Sequence, residues 1–442
     1  MSDELHDESC GCQEYNELSR RSFLGAAATF TAASMFPAWL PKIVMAKNHA
    51  SNRDIIVSIF QRGGADGLSI VYPFLDDAYY TSRPTIGFAR PGNGFAFALD
   101  NQFAIAPAMV GGDGTGGLMP AFAAKDLLIA HGVGIQTNNT RSHFDAQRFM
   151  EVGKPADPTI ITGWLGRHLA SIPPLKPDAL LRGIGVANGL QKTLVAPTGG
   201  TLFPTHTLPI ADPTNFTIGG TSTTAAARTT ILEGDYQVAD EPLKSAALDA
   251  INTVSLLKSV NFTGYKPANN VTYPTSAFGR ALRSVAVLIK NDVGIEAAQI
   301  DIGGWDTHAS QGAVGGGMKT LMQDFSNSLA AFYADVIAPG GFNVTVIAMS
   351  EFGRNVRENA SQGTDHGRGT VMFAMGNNIA GGRVLTQNWK SLDHANLEAG
   401  QDLVVGTDYR DILSEIVQNR LGNPNLDFIF PTWQANMLGV TR

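Results

Sequence analysis

The chain has 442 residues, 44% of them hydrophobic and 16% charged, with 48 glycines and 22 prolines. That balance fits a globular protein of one to three folded units and excludes a disordered or collagen-like chain. A net charge of −7 leaves no long-range positive field to hold a phosphate backbone, which argues against nucleic acid as a partner and makes any anion site a local one.

Both cysteines, Cys10 and Cys12, lie in the first dozen residues, so no disulfide or thiolate metal site forms within the body of the chain. A polar segment ends in Ser19-Arg20-Arg21-Ser22-Phe23-Leu24 and is followed by a weakly apolar run from Gly25 to Phe36, which Pro37 and Pro41 interrupt. Val44-Met45-Ala46 then offers the small-x-small form of a cleavage site. Paired arginines before a mild apolar stretch read as a twin-arginine export signal over residues 1–46. The expectation is a periplasmic or secreted protein that meets the twin-arginine translocase during export. Its mature part, residues 47–442, is expected to be one domain without a membrane span.

Asp54 to Phe60 is a β-branched apolar run ended by a glycine loop, the pattern of a buried strand, and Asp126 to Ile135 is a second strand. A helix is expected within Thr140 to Val152, and a third strand over Gly183 to Ala187. Residues 196–240 are rich in Gly, Thr and Pro and suit an irregular excursion over the core. Helical spacing returns at Leu243 to Leu257 and Phe278 to Ile289, and a strand follows at Ile295 to Ile302. Met318, Leu321, Met322, Phe325, Leu329, Phe332 and Val336 mark one helix face. Val344 to Met349 and Thr370 to Met375 are further strands, and Asp408 caps a helix running to Val417. Strands alternating with helices predict an α/β fold whose mostly parallel sheet is sandwiched by helices, with ligands bound where the strand C-termini meet.

Five polar clusters each read as following an apolar run: Arg62 to Asp66, Thr140 to Asp145, Gly304 to His308, Ser350 to Arg354 and Thr364 to Arg368. Together they hold the carboxylates, imidazoles and guanidiniums that suit a divalent metal next to an anionic group. Asp306 and His308, two apart on an extended segment, point to one side and can chelate one ion, or form a cap beside a hydrogen-bonded histidine. Asp66 either joins a metal site or satisfies the amides of its glycine turn, and Glu351 with Arg354 either serves the site or closes a strand end as an ion pair. Ser142 matches a capping pattern with Asp145, and a hydroxyl at a helix N-terminus is also well placed as a nucleophile. Arg62, Arg141, Arg354 and Arg368 can fork onto oxyanions. His131, inside an apolar strand, reads as a satisfied core histidine.

Arg-Gly-Gly-x-Asp-Gly at 62–67, Arg-Ser-His-Phe-Asp at 141–145, Gly-Gly-Trp-Asp-Thr-His at 303–308, Ser-Glu-Phe-Gly-Arg at 350–354 and Asp-His-Gly at 365–367, behind the twin-arginine segment, resemble the bacterial family labelled domain of unknown function 1501. The resemblance spans essentially the whole mature chain. That family is similar in turn to the alkaline phosphatase and sulfatase superfamily, which implies metal-assisted cleavage of a phosphate or sulfate ester. Carried over by motif, Ser142 stands for the nucleophile, with Arg141 or Arg354 holding the oxyanion. A divalent ion (zinc, manganese or calcium) is then held by some of Asp66, Asp306, His308, Glu351 and His366.

Two departures bear on mechanism. Glu351-Phe352-Gly353 stands where active members of the superfamily show Asp-His-Gly, so a phenyl ring replaces one imidazole. No Cys-x-Pro-x-Arg motif is present, which excludes a formylglycine sulfatase. The rival expectation is a non-catalytic envelope protein of the same fold that binds a carbohydrate or a protein partner.

Overall fold

The computed structural model describes residues 53–91, 97–111, 114–197, 202–218, 222–241 and 243–442. Residues 1–46, expected as an export signal, and both cysteines lie outside the described residues. In chain order the strands are β1 (Ile55–Gln61), β2 (Val71–Pro73), β3 (Phe97–Ala98), β4 (Phe103–Ile105), β5 (Leu127–Gly134), β6 (Gly183–Gly185), β7 (Thr207–Pro209), β8 (Ala297–Ile302), β9 (Val344–Ser350), β10 (Thr370–Met375), β11 (Arg383–Leu385) and β12 (Thr407–Asp408). The helices are α1 (Gly67–Ile70), α2 (Asp77–Ser82), α3 (Met119–Ala123), α4 (His143–Val152), α5 (Trp164–Ala170), α6 (Ser222–Gln237), α7 (Leu243–Ser259), α8 (Ala277–Lys290), α9 (Gly317–Phe332), α10 (Tyr409–Asn419) and α11 (Leu426–Ile429).

This is an α/β fold. Its central sheet is ordered β11-β5-β10-β9-β1-β8-β6-β7, with β12 also paired to β5, and β2, β4 and β3 form a small antiparallel sheet. Every residue of β1, β5, β9 and β10 is buried, as expected of strands covered on both faces. Alternation along the strands divides the core. Val57, Ile59, Val346 and Phe373 pack with α8 and α9 through Val285, Leu288, Met322 and Phe325. Ile56, Phe60, Ile347 and Met372 face α4, α5 and α10 through Met150, Trp164, Leu165 and Ile412.

Pairing is parallel throughout the central sheet except on the two sides of β10, which runs against both β5 and β9. The loops that leave β1, β5, β8 and β9 therefore share a rim with the loop that enters β10. Residues 364–368 precede their strand rather than follow it, and the reversal of β10 is what brings them to the same edge. Residues 196–240, expected as an irregular excursion, instead supply the sheet's edge strand β7 and the sixteen-residue α6. No helix of the described residues is long and apolar enough to cross a membrane.

His131 sits on β5, stacked against Phe103 and edge-on to Trp389. Its Nε2 meets the Val71 carbonyl at 2.8 Å, and its Nδ1 accepts the Gly132 amide at 2.8 Å, an arrangement that only the neutral ring satisfies. Burial lowers its pKa to about 4, and burial likewise lowers that of His168 to about 3. Both rings stay neutral in the folded chain while their unfolded counterparts protonate near pH 6.5. Their stabilisation is complete above that pH and declines as the pH falls, by roughly 1.4 kcal/mol per unit for each ring. Urea unfolding between pH 6.5 and 5 is expected to show this decline, and His131→Gln, which keeps a donor for Val71, is expected to show about half of it.

Candidate functional site

A single guanidinium ties the rim loops together. Arg354, whose side chain is wholly buried, donates from Nε to the Gly64 carbonyl at 2.6 Å and from Nη1 to the Thr364 carbonyl at 3.0 Å. Its Nη2 bonds the carbonyls of Gly63 and Trp305 and reaches Asp306 Oδ1 at 2.6 Å. The loops after β1 and β8 and before β10 thus share one charged partner. Gly63 makes the close approach possible: at φ +120°, a Cβ there would lie 2.5 Å from the Asp306 nitrogen.

Around Asp306 the imidazoles gather. His308 Nε2 is 3.1 Å from Asp306 Oδ1, and the Nε2 atoms of His143 and His366 are each 3.6 Å from the same oxygen. His308 Nε2 and His366 Nε2 face each other at 2.8 Å. The far side of every ring is held. His143 Nδ1 bonds Glu351 at 2.8 Å, His366 Nδ1 bonds the Arg141 carbonyl at 2.8 Å, and His308 Nδ1 lies 3.2 Å from Asp365. These partners are all acceptors, so each Nδ1 is assigned the proton, and a ring in its neutral form turns a lone pair inward at Nε2. Lone pairs and a carboxylate oxygen converging at these distances repel unless a proton or a cation lies among them.

The second layer is equally ordered. Glu351 Oε1 accepts from the Gly63 amide at 2.8 Å and from Gln147 Nε2 at 2.9 Å, in addition to His143. Burial alone would raise the Glu351 carboxyl, but the hydrogen bond and charge of His143, together with Gln147, bring it down to about 2. Burial by itself would lower His143, yet its contacts with Asp306 and Glu351 raise it to about 9. Phe352 packs its ring 4.8 Å from that of His143 and 4.9 Å from that of His366, an apolar wall behind two of the imidazoles.

The structure brings Asp306, His308 and His366 together and sets Glu351 one layer out. Asp66 lies elsewhere. Its two oxygens take Arg83 at 2.6 and 3.0 Å, and Ser69 and Gln311 complete the shell. Burial would raise the Asp66 carboxyl, but Arg83 and these hydrogen bonds hold it below the ordinary carboxylate value. Through Gln311, which also accepts from Thr307 and Thr364, this buried group braces two site loops. Arg354 turns its donors to the protein, as described above. Arg141 bonds the His366 carbonyl at 3.0 Å and Asp402 at 2.6 Å. Ser142 is the N-cap of α4, with its Oγ accepting from the Asp145 amide at a loose 3.4 Å.

The residue that sequence reasoning passed over is His143. It stands in the Arg-Ser-His-Phe-Asp motif as the first residue of α4, directly after the cap, so its side chain projects at the rim. A histidine next to a helix cap in a rim loop was the available signal. It gives the cluster a third imidazole even though position 352 has none.

This donor set fits a divalent ion. Tetrahedral bonds of 2.0–2.1 Å place ligand atoms roughly 3.3 Å apart, close to the 3.1–3.6 Å between Asp306 Oδ1 and the Nε2 atoms of His308, His143 and His366. The ligand atoms of His143, Asp306 and His366 all lie within 4.8 Å of one another, and the buried His143 Nε2 has no hydrogen-bond partner. Nitrogen-rich ligation with every Nδ1 anchored by an acceptor is the arrangement by which proteins hold zinc and similar ions, whereas calcium takes oxygen ligands.

Residues 236–414 match the family model described as Protein of unknown function (DUF1501), a span that includes Asp306, His308, Glu351 and His366 and leaves His143 outside. Among curated proteins, none matches the chain.

Zinc titration by calorimetry is expected to show one site per chain, with protons released because His143 is charged before the ion enters, and with affinity rising with pH. Glu351→Gln is expected to weaken binding roughly 10- to 100-fold without removing a ligand. Arg354→Met should cost about 3–5 kcal/mol of stability, since it breaks the pair with Asp306 and leaves the carbonyls of Gly63, Gly64, Trp305 and Thr364 without their donor. Chemical denaturation of the metal-free chain checks this, and an unchanged midpoint would contradict the bracing role.

Proposed function

We propose that this chain is an exported metal-dependent hydrolase that cleaves a phosphate or sulfate ester at the cluster of His143, Asp306, His308 and His366. The observation that carries the reading is the convergence of three anchored imidazoles on one carboxylate oxygen. Zinc or manganese bound there would supply Lewis acidity toward the ester oxygens.

The chain's own groups divide the remaining work. Arg141 and His366 stitch the backbone on either side of the cluster, and Ser142 is flanked by two residues bonded to it. Its hydroxyl, only loosely engaged as a cap, is the proposed nucleophile. Oγ forms a bond to phosphorus or sulfur as the bond to the ester oxygen breaks, and the serine proton leaves with the alcohol. Water then cleaves the seryl ester and restores the hydroxyl. Glu351 and Asp365 keep their imidazoles oriented. A small cleft lined by Thr140, Glu351, Phe352, Gly367 and Arg368 lies alongside and has room for little more than a water molecule. The twin-arginine pattern within residues 1–46 supports a periplasmic or secreted setting for this activity.

The second reading is a non-catalytic envelope protein that uses the same rim to bind a carbohydrate or a protein, and the apolar Phe352 wall beside the imidazoles favours it. Turnover of aryl phosphates and aryl sulfates by the zinc- or manganese-loaded chain separates the two. His143→Ala should lose both metal and turnover. Ser142→Ala should bind metal normally, lose about 1 kcal/mol of stability with the cap, and lose at least a hundredfold in rate. Ser142→Asn restores the cap, so a rate that returns with it would reduce Ser142 to a structural role. Metal binding without turnover of any ester would favour the second reading.

A further inference from the structure

Five arginines around the rim are committed to carboxylates. Arg354 is paired with Asp306 and Arg83 with Asp66, both buried, at 2.6 Å. Arg62 serves two acids, Glu151 at 2.8 Å and Asp301 at 3.1 Å. Arg141 is held by Asp402 at 2.6 Å, and Arg368 by Glu398. These five guanidiniums therefore add no net positive charge at the rim. A divalent ion among the imidazoles would carry two positive charges, with Asp306 already balanced by Arg354, while the carboxylates of Glu351 and Asp365 stand behind two of its ligands. Such a centre has little charge left to offset a dianion.

We infer that the site selects singly charged esters, sulfate monoesters or phosphate diesters, over doubly charged phosphate monoesters. The inference rests on the hydrolytic reading above and narrows its substrate. A dianion binds well when a guanidinium fork takes two of its oxygens, and forks already bonded to carboxylates would have to give up one charged partner to take another. The lost interaction corresponds to roughly a hundredfold in selectivity.

The test uses the zinc- or manganese-loaded full chain with p-nitrophenyl sulfate, bis-p-nitrophenyl phosphate and p-nitrophenyl phosphate. Each kcat/KM is divided by the uncatalysed rate of the same ester. The sulfate or the diester is expected to show at least about a hundredfold greater enhancement than the phosphate monoester. Asp402→Asn, which frees Arg141, should raise the monoester's relative enhancement tenfold or more. Glu398→Gln, which frees Arg368, provides the same readout if the buried Asp402 proves necessary for folding. An equal or greater enhancement of the monoester by the wild-type chain would overturn the inference while leaving the hydrolase intact. So would a monoester preference that Arg357→Ala abolishes, since Arg357 is exposed in the loop after β9. No turnover of any of the three esters removes the hydrolytic reading and this narrowing with it.

Discussion

A buried guanidinium needs a carboxylate and a full set of acceptors, and Arg354 finds them only where three loops meet. Its desolvation would be prohibitive in any arrangement that left those donors unmet. The charge therefore selects one relative placement of the loops after β1 and β8 and before β10. Asp306 is the hinge of this arrangement, since the oxygen that satisfies Arg354 is also the one that three imidazoles approach. Positioning of the cluster and burial of the arginine are one physical problem with one solution.

A second buried pair repeats the device further from the rim. Arg83 and Asp66 neutralise each other, and Gln311 carries their order to Thr307 and Thr364 on either side of the histidines. The rim is thereby supported from beneath by groups that never face a ligand. The price of such support is that acids and arginines which look available in the sequence are taken by the protein itself.

Much of this was legible in the chain. The long strands announced themselves as apolar β-branched runs, and α4, α8, α9 and α10 by spacing or caps, because burial on a sheet or along one helix face imposes a period. The short pieces β2, β3, β4, β11 and β12 have two or three residues each and no room for a period. The loops that carry the cluster were identifiable as polar segments beside apolar runs, and Asp306 with His308 followed from their spacing. What could not be read was the choice of partner. Asp66, Arg354 and Glu351 are all polar residues in rim loops, and only the folded arrangement decides that one takes Arg83, another takes carbonyls and the third orients His143. His143 was hidden for a related reason, since the neighbouring serine explained the motif as a cap and nothing local required more.

The cluster joins stretches of chain that lie far apart in sequence, with His143 held to Glu351 across 208 positions and Arg141 to the His366 loop across 225. Contacts of such span form late, after most of the chain's freedom has been surrendered. An ion that grips these stretches acts as a removable crosslink, and its effect on the kinetics is one-sided. It would do little to hasten folding and much to slow unfolding, so the lifetime of the folded protein would depend on whether the crosslink stays in place.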